Sequence, residues 1–252
     1  MTSLRSQKAL VTGSTRGIGL AIAQELHAQG CHVALNGRSP DDLDAAARLF
    51  PETDVVKICG DITDPEACRA IIHQAKQALG RIDIVVCNVG SGSSVPPGQE
   101  TYEEWQRVFG INLWSTTNTV EAVRTVLNNA CKSIVCVSSI CGIETIPGAP
   151  VTYSAAKAAL NAYVKGISRP LGAVGVRINA VAPGNVLFDG SVWHRKMADD
   201  AHAVEDMLQS NVSLNRLGTP EEIAKLVAWL SSDEAQFMTG TVVVADGGQS
   251  RS

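Results

Sequence analysis

The chain has 252 residues, 45% of them hydrophobic, and a formal net charge of -4. This composition supports a sizeable buried core and lacks the basic excess typical of nucleic-acid-binding proteins. No apolar stretch reaches the roughly 18 residues of a membrane-spanning helix, and residues 1–6 are too few and too polar for a signal peptide, so we expect a soluble cytoplasmic protein.

Seven short apolar runs with strand character alternate with segments of helical periodicity. The runs cover residues 8–12, 32–36, 54–59, 82–87, 133–138, 176–182 and 241–245. Clear helical patterns between them span residues 65–79, with Asp64 as a predicted N-cap, and 221–230. This alternation predicts an α/β fold: one doubly wound domain over residues 1–252, with helices on both faces of a mainly parallel seven-stranded sheet.

The first strand-to-helix junction contains a glycine-rich turn. Glycines let the backbone approach a phosphate, and the N–H groups and positive dipole end of the following helix attract the anion. The spacing is G-x-x-x-G-x-G rather than G-x-G-x-x-G, and a purely structural turn is the alternative. We predict that the turn binds the pyrophosphate of a dinucleotide through the following consecutive residues: Gly13, Ser14, Thr15, Arg16, Gly17, Ile18 and Gly19.

The end of the second strand indicates which dinucleotide is preferred. An NAD site places a carboxylate there for the ribose hydroxyls, whereas this chain has Arg38 about twenty residues beyond the turn. Arg38 offers a planar fork to a 2′-phosphate, and Arg16 adds charge on the same side. Asp41 and Asp42 lie nearby and oppose phosphate binding, and solvated surface arginines are the alternative. The pattern favours NADP over NAD.

The cysteines do not indicate a metal site. There are seven, without C-x-x-C pairs, as expected for free thiols in a reducing compartment. Cys131, Cys136 and Cys141 recur every five residues, but an odd offset along a strand points side chains to opposite faces. No H-x-x-x-H pair and no G-x-S-x-G elbow occurs, so we predict no metal and neither a zinc nor a serine hydrolase.

Tyr153 and Lys157 stand four residues apart on one predicted helix, and therefore on one face of it. The lysine charge, together with a cationic cofactor, can then lower the pKa of the phenol from its usual value near 10 and make it a proton donor and acceptor. Neither Tyr102 nor Tyr163 has a lysine at this spacing. Alone, this pattern also fits a solvated helix face.

The ordered motifs resemble those of the short-chain dehydrogenase/reductase superfamily, including its 3-oxoacyl reductase-like members. The resemblance extends from about residue 7 to Asp246-Gly247-Gly248 and implies a Rossmann-type fold. The matching motifs, in chain order, are Thr12-Gly13-x-x-x-Gly17-x-Gly19, Asp61, Asn88-x-Gly90, Asn112, Ser139, Tyr153-x-x-x-Lys157 and Pro183-Gly184.

The resemblance also implies how the cofactor is held. Asp61 would bond the adenine amino group, with Ile62 beside it, although an aspartate after a strand can also be a helix cap. Asn88 and Gly90 would line the cofactor path, where Val89 adds bulk. The remaining cofactor contacts would come from Pro183, Gly184 and the backbone of Val186, and from Tyr153 and Lys157.

Four catalytic residues are implied. Tyr153 would donate the proton to the carbonyl oxygen, while Lys157 lowers the phenol pKa and holds the nicotinamide ribose. Ser139 would orient the carbonyl; we choose it over Ser138, which should point to the opposite sheet face. Asn112, in a predicted helix interior where asparagine is unfavourable, would hold a water of the proton relay.

The chain departs from the family pattern after Gly184, because Phe188 stands where a threonine often bonds the nicotinamide carboxamide. Residues 91–101 and 183–200 are long, irregular segments at strand ends and should determine substrate choice. We predict a substrate lid at about residues 185–216, mobile from Asn185 to about Asp200. A static loop anchored on the core by Trp193 is the alternative.

The function expected is NADPH-linked carbonyl reduction, or alcohol oxidation, of an unspecified small molecule. A catalytically idle NAD(P)-binding scaffold or redox sensor is the alternative, and a sugar-nucleotide-modifying enzyme a lesser one. A homo-oligomer, specifically a tetramer, is expected. The predicted helices 102–127 and 153–168 carry more apolar residues than one sheet-facing stripe needs, and the resemblance implies that these helices pair across a two-fold axis. Those residues are Trp114, Val120, Val123, Leu160 and Val164.

Overall fold

The computed structural model describes residues 4–51, 55–126 and 131–251. Within them, seven strands form one sheet in the order β3-β2-β1-β4-β5-β6-β7, with every neighbouring pair parallel. The strands are β1 Lys8–Val11, β2 His32–Gly37, β3 Val55–Cys59, β4 Ile84–Cys87, β5 Ser133–Val137, β6 Arg177–Pro183 and β7 Val242–Ala245. The predicted doubly wound α/β fold is confirmed. Residues 1–3, 54 and 127, on which parts of the predictions fall, lie outside the described residues.

Helices connect the strands. They are α1 Gly17–Ala28, α2 Pro40–Ala47, α3 Pro65–Leu79, α4 Tyr102–Phe109, α5 Ser115–Val126, α6 Val151–Gly172, α7 Val192–Asp199, α8 Ala201–Asn211 and α9 Pro220–Ser231. A π-helical segment, Gly110–Trp114, joins α4 to α5, and 3₁₀ turns occupy Ile140–Gly142 and Asp233–Ala235. The prediction that residues 183–200 are irregular is wrong for α7, which Ser191 caps by accepting the His194 N–H at 2.9 Å.

The core has two parts, one on each face of the sheet. Successive residues of a strand point alternately into the two parts. Leu35 and Val86 belong to one part, and Ala34 and Val85 belong to the other. The second part also takes four residues that we had attributed to an excess apolar face: Val120, Val123, Leu160 and Val164. That interpretation is wrong for these four, because α5 and α6 turn them towards the sheet; Trp114 alone of the set is 45% exposed.

The strand order reverses between β1 and β4, and at such a point the loops that leave the carboxyl ends of the strands diverge and form a crevice. Each motif that follows a strand therefore meets the others at one edge of the sheet. Among the described residues, no helix is both long and apolar enough to cross a membrane.

Candidate active site

The turn between β1 and α1 leaves no room for side chains at its glycines. Gly13 and Gly17 have φ angles of 61° and 55°, a region that favours glycine. A Cβ at Gly19 would overlap the Gly13 carbonyl oxygen. Arg16 occupies the N-cap of α1, but its side chain makes no capping hydrogen bond. A tight backbone cradle at the positive end of a helix fits the pyrophosphate of a dinucleotide.

Two asparagines hold this cradle from either side. The Asn88 Nδ2 donates to the carbonyl oxygens of Thr12 at 3.1 Å and Gly13 at 2.9 Å. From β2, the Asn36 Oδ1 accepts the Gly13 N–H at 3.4 Å, and the Asn36 carbonyl accepts the Ser14 N–H at 2.9 Å. The amide of Asn88 is thus engaged in the turn itself. Asn36 was missed by the sequence reasoning, although an asparagine within a strand is unfavourable and was a usable signal.

Arg38 and Asp61 lie side by side beyond β2 and β3. The Arg38 Nη1 is 3.8 Å from the Asp61 Oδ2, and the Arg38 side chain is 79% exposed, so it is available to an anion. The Asp61 Oδ1 accepts the Thr63 N–H at 2.9 Å, a local turn, while Asp64 caps α3. The helix-cap alternative for Asp61 is therefore wrong. The Ile62 side chain is buried in the core, so only its backbone remains available to a ligand.

The four predicted catalytic residues converge at the carboxyl edge of β4 and β5. Two of them meet beside Gly90, where a Cβ would lie 3.1 Å from the Asn112 Oδ1 and 3.1 Å from the Lys157 Nζ, and Tyr153 borders Gly92, where a Cβ would lie 3.9 Å from its Cζ. The Lys157 Nζ lies 5.9 Å from the centre of the Tyr153 ring and donates to the Val137 carbonyl at 2.8 Å. The Ser139 side chain lies near the Tyr153 phenol and acts to lower its pKa. The arrangement brings a hydroxyl, a phenol and an ammonium to one place.

The protonation states differ from the sequence-based expectation. Burial raises the pKa of Tyr153 to about 12, although the hydrogen bond from Ser139 acts in the opposite direction. Burial lowers the pKa of Lys157 to about 8. In the chain by itself desolvation of the phenolate dominates and the phenol pKa is raised. That the lysine and a bound cationic cofactor together lower it stays a prediction. At neutral pH the phenol carries its proton and is ready to donate it.

Asn112 occupies the π-helical segment, a helical irregularity that recurs at functional sites. Its Oδ1 accepts the Ser91 N–H at 2.9 Å, and its Nδ2 donates to the carbonyl oxygens of Ser91 and Val108, each at 3.0 Å. The side chain is 1% exposed. These bonds fix the start of the 91–101 loop beside the ammonium of Lys157, which gives the asparagine a structural task next to the relay role predicted for it.

Hydrogen bonds join the 91–101 loop to α4 and to α6. The Ser94 hydroxyl lies 2.7 Å from the Glu104 Oε1 and 2.6 Å from the Thr152 Oγ1, on the residue before Tyr153. Arg107 donates to the same carboxylate and to the Ser93 carbonyl. Hydrogen bonds from Arg107 and Ser94 lower the pKa of Glu104 to about 2. This side of the crevice is therefore well fixed.

The segment after β6 closes the other side. Gly184 lies against Asp246, where a Cβ would come within 2.7 Å of the aspartate Cβ. A short bridge pairs residues 185–187 with Gly218 through the Asn185 carbonyl and the Leu187 N–H, and it uses neither backbone group of Val186. The Phe188 ring packs on Gly17, where a Cβ would lie 2.5 Å from the ring Cε2. Pro183, the last residue of β6, pairs with Ala245.

Comparison with known proteins identifies the family. A family model described as enoyl-(acyl carrier protein) reductase matches residues 13–250. The 3-oxoacyl-[acyl-carrier-protein] reductase of Rickettsia conorii is 32% identical over 252 residues, covering 98% of each chain. The acetoacetyl-CoA reductase of Shinella zoogloeoides is 34% identical over 245 residues, covering 97% of this chain and 98% of its own. The L-sorbose reductase of Gluconobacter frateurii, solved with NADPH and L-sorbose, superimposes with a TM-score of 0.90 at 26% identity, covering 100% of this chain and 99% of the reductase.

The chain belongs to the short-chain dehydrogenase/reductase family and is an NAD(P)-dependent oxidoreductase acting on a C=O or CH–OH group.

Proposed function

We propose that the protein catalyses NADPH-linked reduction of a small-molecule carbonyl, or the reverse oxidation, with Ser139, Tyr153, Lys157 and Asn112 as its catalytic residues. The observation that carries the proposal is that Asn112 and Lys157 meet beside Gly90, with the Tyr153 ring 5.9 Å from the Lys157 Nζ and Ser139 near the phenol. When bound, the nicotinamide supplies or accepts the hydride.

Each residue has a defined part in the reduction. The Ser139 hydroxyl orients the carbonyl oxygen, and the Tyr153 phenol, protonated at neutral pH, donates its proton to that oxygen as negative charge develops. The buried Lys157 ammonium stabilises the resulting phenolate. Asn112 holds the strand-end loop beside the ammonium and connects it to the proton relay.

The dinucleotide would lie across the glycine turn, in contact with residues 13–19, with Asp61, Ile62, Asn88, Gly90, Pro183, Gly184 and Val186 along its path. NADP is preferred in this proposal because the Arg38 side chain is exposed just after β2. Arg16, in the turn, is the second arginine proposed to add charge, although its Nη1 lies beside Gly190 in this structure. Asp61, 3.8 Å from Arg38, weakens the positive field but leaves most of the guanidinium exposed. The backbone of Val186, unused by the bridge to Gly218, can bond the carboxamide in place of the missing threonine.

A turnover assay tests the function. The purified protein is offered oxo-acyl thioesters, keto-sugars and steroid ketones, and the loss of NADPH absorbance is followed, with NADH in parallel. We expect turnover of at least one class with NADPH ahead of NADH. Cofactor binding without turnover of any class would instead support the idle scaffold.

The assembly and its setting are also proposals. We place residues 1–252 in one domain with a substrate lid at 185–216, in a homotetramer. Six of the exposed apolar residues lie in two regions: Tyr102, Trp114 and Val151 near α4 and α6, and Trp229, Phe237 and Val244 near α9 and β7. A tetramer with two-fold axes uses two such self-complementary surfaces. All seven cysteines are free, which suits a reducing cytoplasmic location. A monomeric mass in light scattering at micromolar concentration would contradict the assembly.

A further inference from the structure

One face of α6 contacts the end of β5 through three side chains. Tyr153, Lys157 and Asn161 follow one another at intervals of four residues and therefore lie on the same face. Tyr153 lies near the Ser139 side chain, and Lys157 donates to the Val137 carbonyl. The third residue, Asn161, is 7% exposed and has so far been given no task.

Asn161 makes two hydrogen bonds to the segment that carries Ser139. Its Nδ2 donates to the Gly142 carbonyl at 3.0 Å, and its Oδ1 accepts from the Ser138 hydroxyl at 2.6 Å. A carbonyl can only accept, so the orientation of the amide is fixed and the Ser138 proton must point at Asn161. The Ser138 side chain therefore faces α6, and the expectation that it points to the opposite sheet face is wrong. Its hydroxyl is engaged in this bond, which leaves Ser139 as the hydroxyl available at the phenol.

These two bonds lie on either side of Ser139 in the chain. Between them, the Ser139 Oγ accepts the Cys141 N–H at 3.1 Å, and its carbonyl accepts the Gly142 N–H at 3.0 Å. Gly142 packs so closely on α6 that a Cβ there would lie 2.5 Å from the Lys157 carbonyl carbon. The turn from Ser138 to Gly142 is therefore clamped to the helix that carries Tyr153.

The geometry points to Asn161 as a positioning residue for the reaction: its amide clamps residues 138–142 to α6 and holds the Ser139 hydroxyl at the Tyr153 phenol. The inference rests on the proposed function, which gives Ser139 its task. Without the clamp, Ser139 shifts relative to the phenol, and a misplacement of about 1 Å lowers turnover by up to about 100-fold.

The test compares Asn161→Leu with Asn179→Leu. Asn179 is also buried, donates to the Met238 carbonyl at 2.9 Å and accepts the Thr241 N–H at 3.3 Å, but it lies near the amino end of β6. Both variants lose a buried amide and should unfold at similarly lower temperatures. Only Asn161→Leu should lower kcat, by about 10- to 100-fold, while the Kd for NADPH stays within about 2-fold. In a Ser139→Ala background, Asn161→Leu should add little further loss, since it acts through Ser139.

Amide hydrogen exchange supplies a readout that does not depend on activity. The N–H groups of Cys141 and Gly142 should exchange faster in Asn161→Leu and remain protected in Asn179→Leu. If Asn161→Leu does not fold, Ser138→Ala removes one bond of the clamp and should lower kcat by about 2- to 10-fold.

Three results would overturn the inference: unchanged kcat in Asn161→Leu, unchanged protection of the two amides, or a loss that is fully additive with Ser139→Ala. If the unmodified protein turns over a carbonyl substrate and any of these results is found, the positioning role of Asn161 is overturned and the proposed function stands. Absence of turnover with every carbonyl would overturn both the proposed function and the task given to Asn161.

Discussion

The two walls of the crevice differ in how firmly they are held. On the catalytic side, Asn112, Lys157 and Ser139 are 1%, 2% and 7% exposed, and each is fixed by hydrogen bonds to neighbouring elements. On the other side, α7 has no buried residue, and α8 contributes only a small apolar cluster with Val204 and Leu208. Chemistry needs fixed distances, whereas substrate entry needs a wall that opens at low free-energy cost.

We therefore expect substitutions on the fixed wall, which contains Asn112, Lys157 and Ser139, to change kcat. Substitutions on the looser wall, which is formed by α7 and α8, should change KM. A substitution that removes a reacting group should have the largest effect on the kinetic constants. A substitution that loosens the segment over residues 185–216 should have the smallest effect.

Replacing Tyr153 by phenylalanine should lower turnover by at least about 100-fold, because the variant loses the transferable proton and little else. Steady-state kinetics with the best carbonyl substrate measures the loss, and NADPH titration should show nearly unchanged affinity. Tyr163→Phe is the matched control, since it removes a hydroxyl from a partly buried tyrosine of the same helix without touching the reacting groups. Comparable turnover in both variants would remove the phenol from the mechanism.

Replacing Arg38 by aspartate should weaken NADPH binding by about 10- to 100-fold and reverse the preference between NADPH and NADH. The new carboxylate would face the 2′-phosphate next to Asp61 and repel it, while the exposed position keeps the cost to folding small. Fluorescence titration with both cofactors measures the ratio, and Arg48→Asp makes the same charge change at the far end of α2. Equal affinities of the unmodified protein for the two cofactors would show that Arg38 does not reach the phosphate.

The fold and the meeting of the motif residues could be predicted because they depend on short-range pattern and on strand topology. Once the strands are parallel, residues after β1, β4, β5 and β6 lie at one edge, whatever fills the core. The glycine turn could likewise be predicted, because a positive φ such as that of Gly17 favours glycine.

What could not be predicted depends on contacts between distant elements. The raised pKa of Tyr153 comes from burial, which no spacing reports. The task of Asn36 and the clamp by Asn161 become visible only when β2 and α6 meet their neighbours. Whether Val120 or Leu160 faces the sheet or solvent depends on helix rotation, and a broad apolar stripe fits both.

As the pH rises, activity should fall first because Lys157 loses its proton, and only at higher pH because Tyr153 does. With a pKa of about 8, the Lys157 ammonium is present below that pH and is lost as the pH rises through it, whereas the phenol, at about 12, keeps its proton over the same range. The kcat/KM for NADPH, which reports groups of the free enzyme, should therefore fall several-fold between about pH 8 and pH 9. Lys165→Gln, at an exposed lysine further along α6, should leave the profile unchanged. A flat profile to about pH 9.5 would contradict the assignment.

The smallest effect is expected on the looser wall. Trp193 packs against the cluster formed by Val204 and Leu208, with the Lys196 Nζ 4.6 Å from the centre of its ring. Trp193→Ala should raise the KM for the carbonyl substrate by about 2- to 10-fold with a lesser change in kcat, because it loosens α7 against α8 and leaves the reacting groups in place. Trp229→Ala truncates the same type of side chain, 39% exposed, outside the segment and serves as the control.

Hydrogen exchange decides whether this wall is a lid or a fixed anchor. No residue of α7 is buried, so the amides of residues 186–196 should exchange quickly in the free protein. They should slow when NADPH and substrate are both bound, because closure buries Leu187, which is 38% exposed, and excludes water from the reacting atoms. The 91–101 loop, tied through Ser94 to Glu104 and Thr152, should show little change and provides the internal reference. Equal protection of residues 186–196 in both states would make Trp193 a static anchor, and the two walls would then differ in exposure but not in mobility.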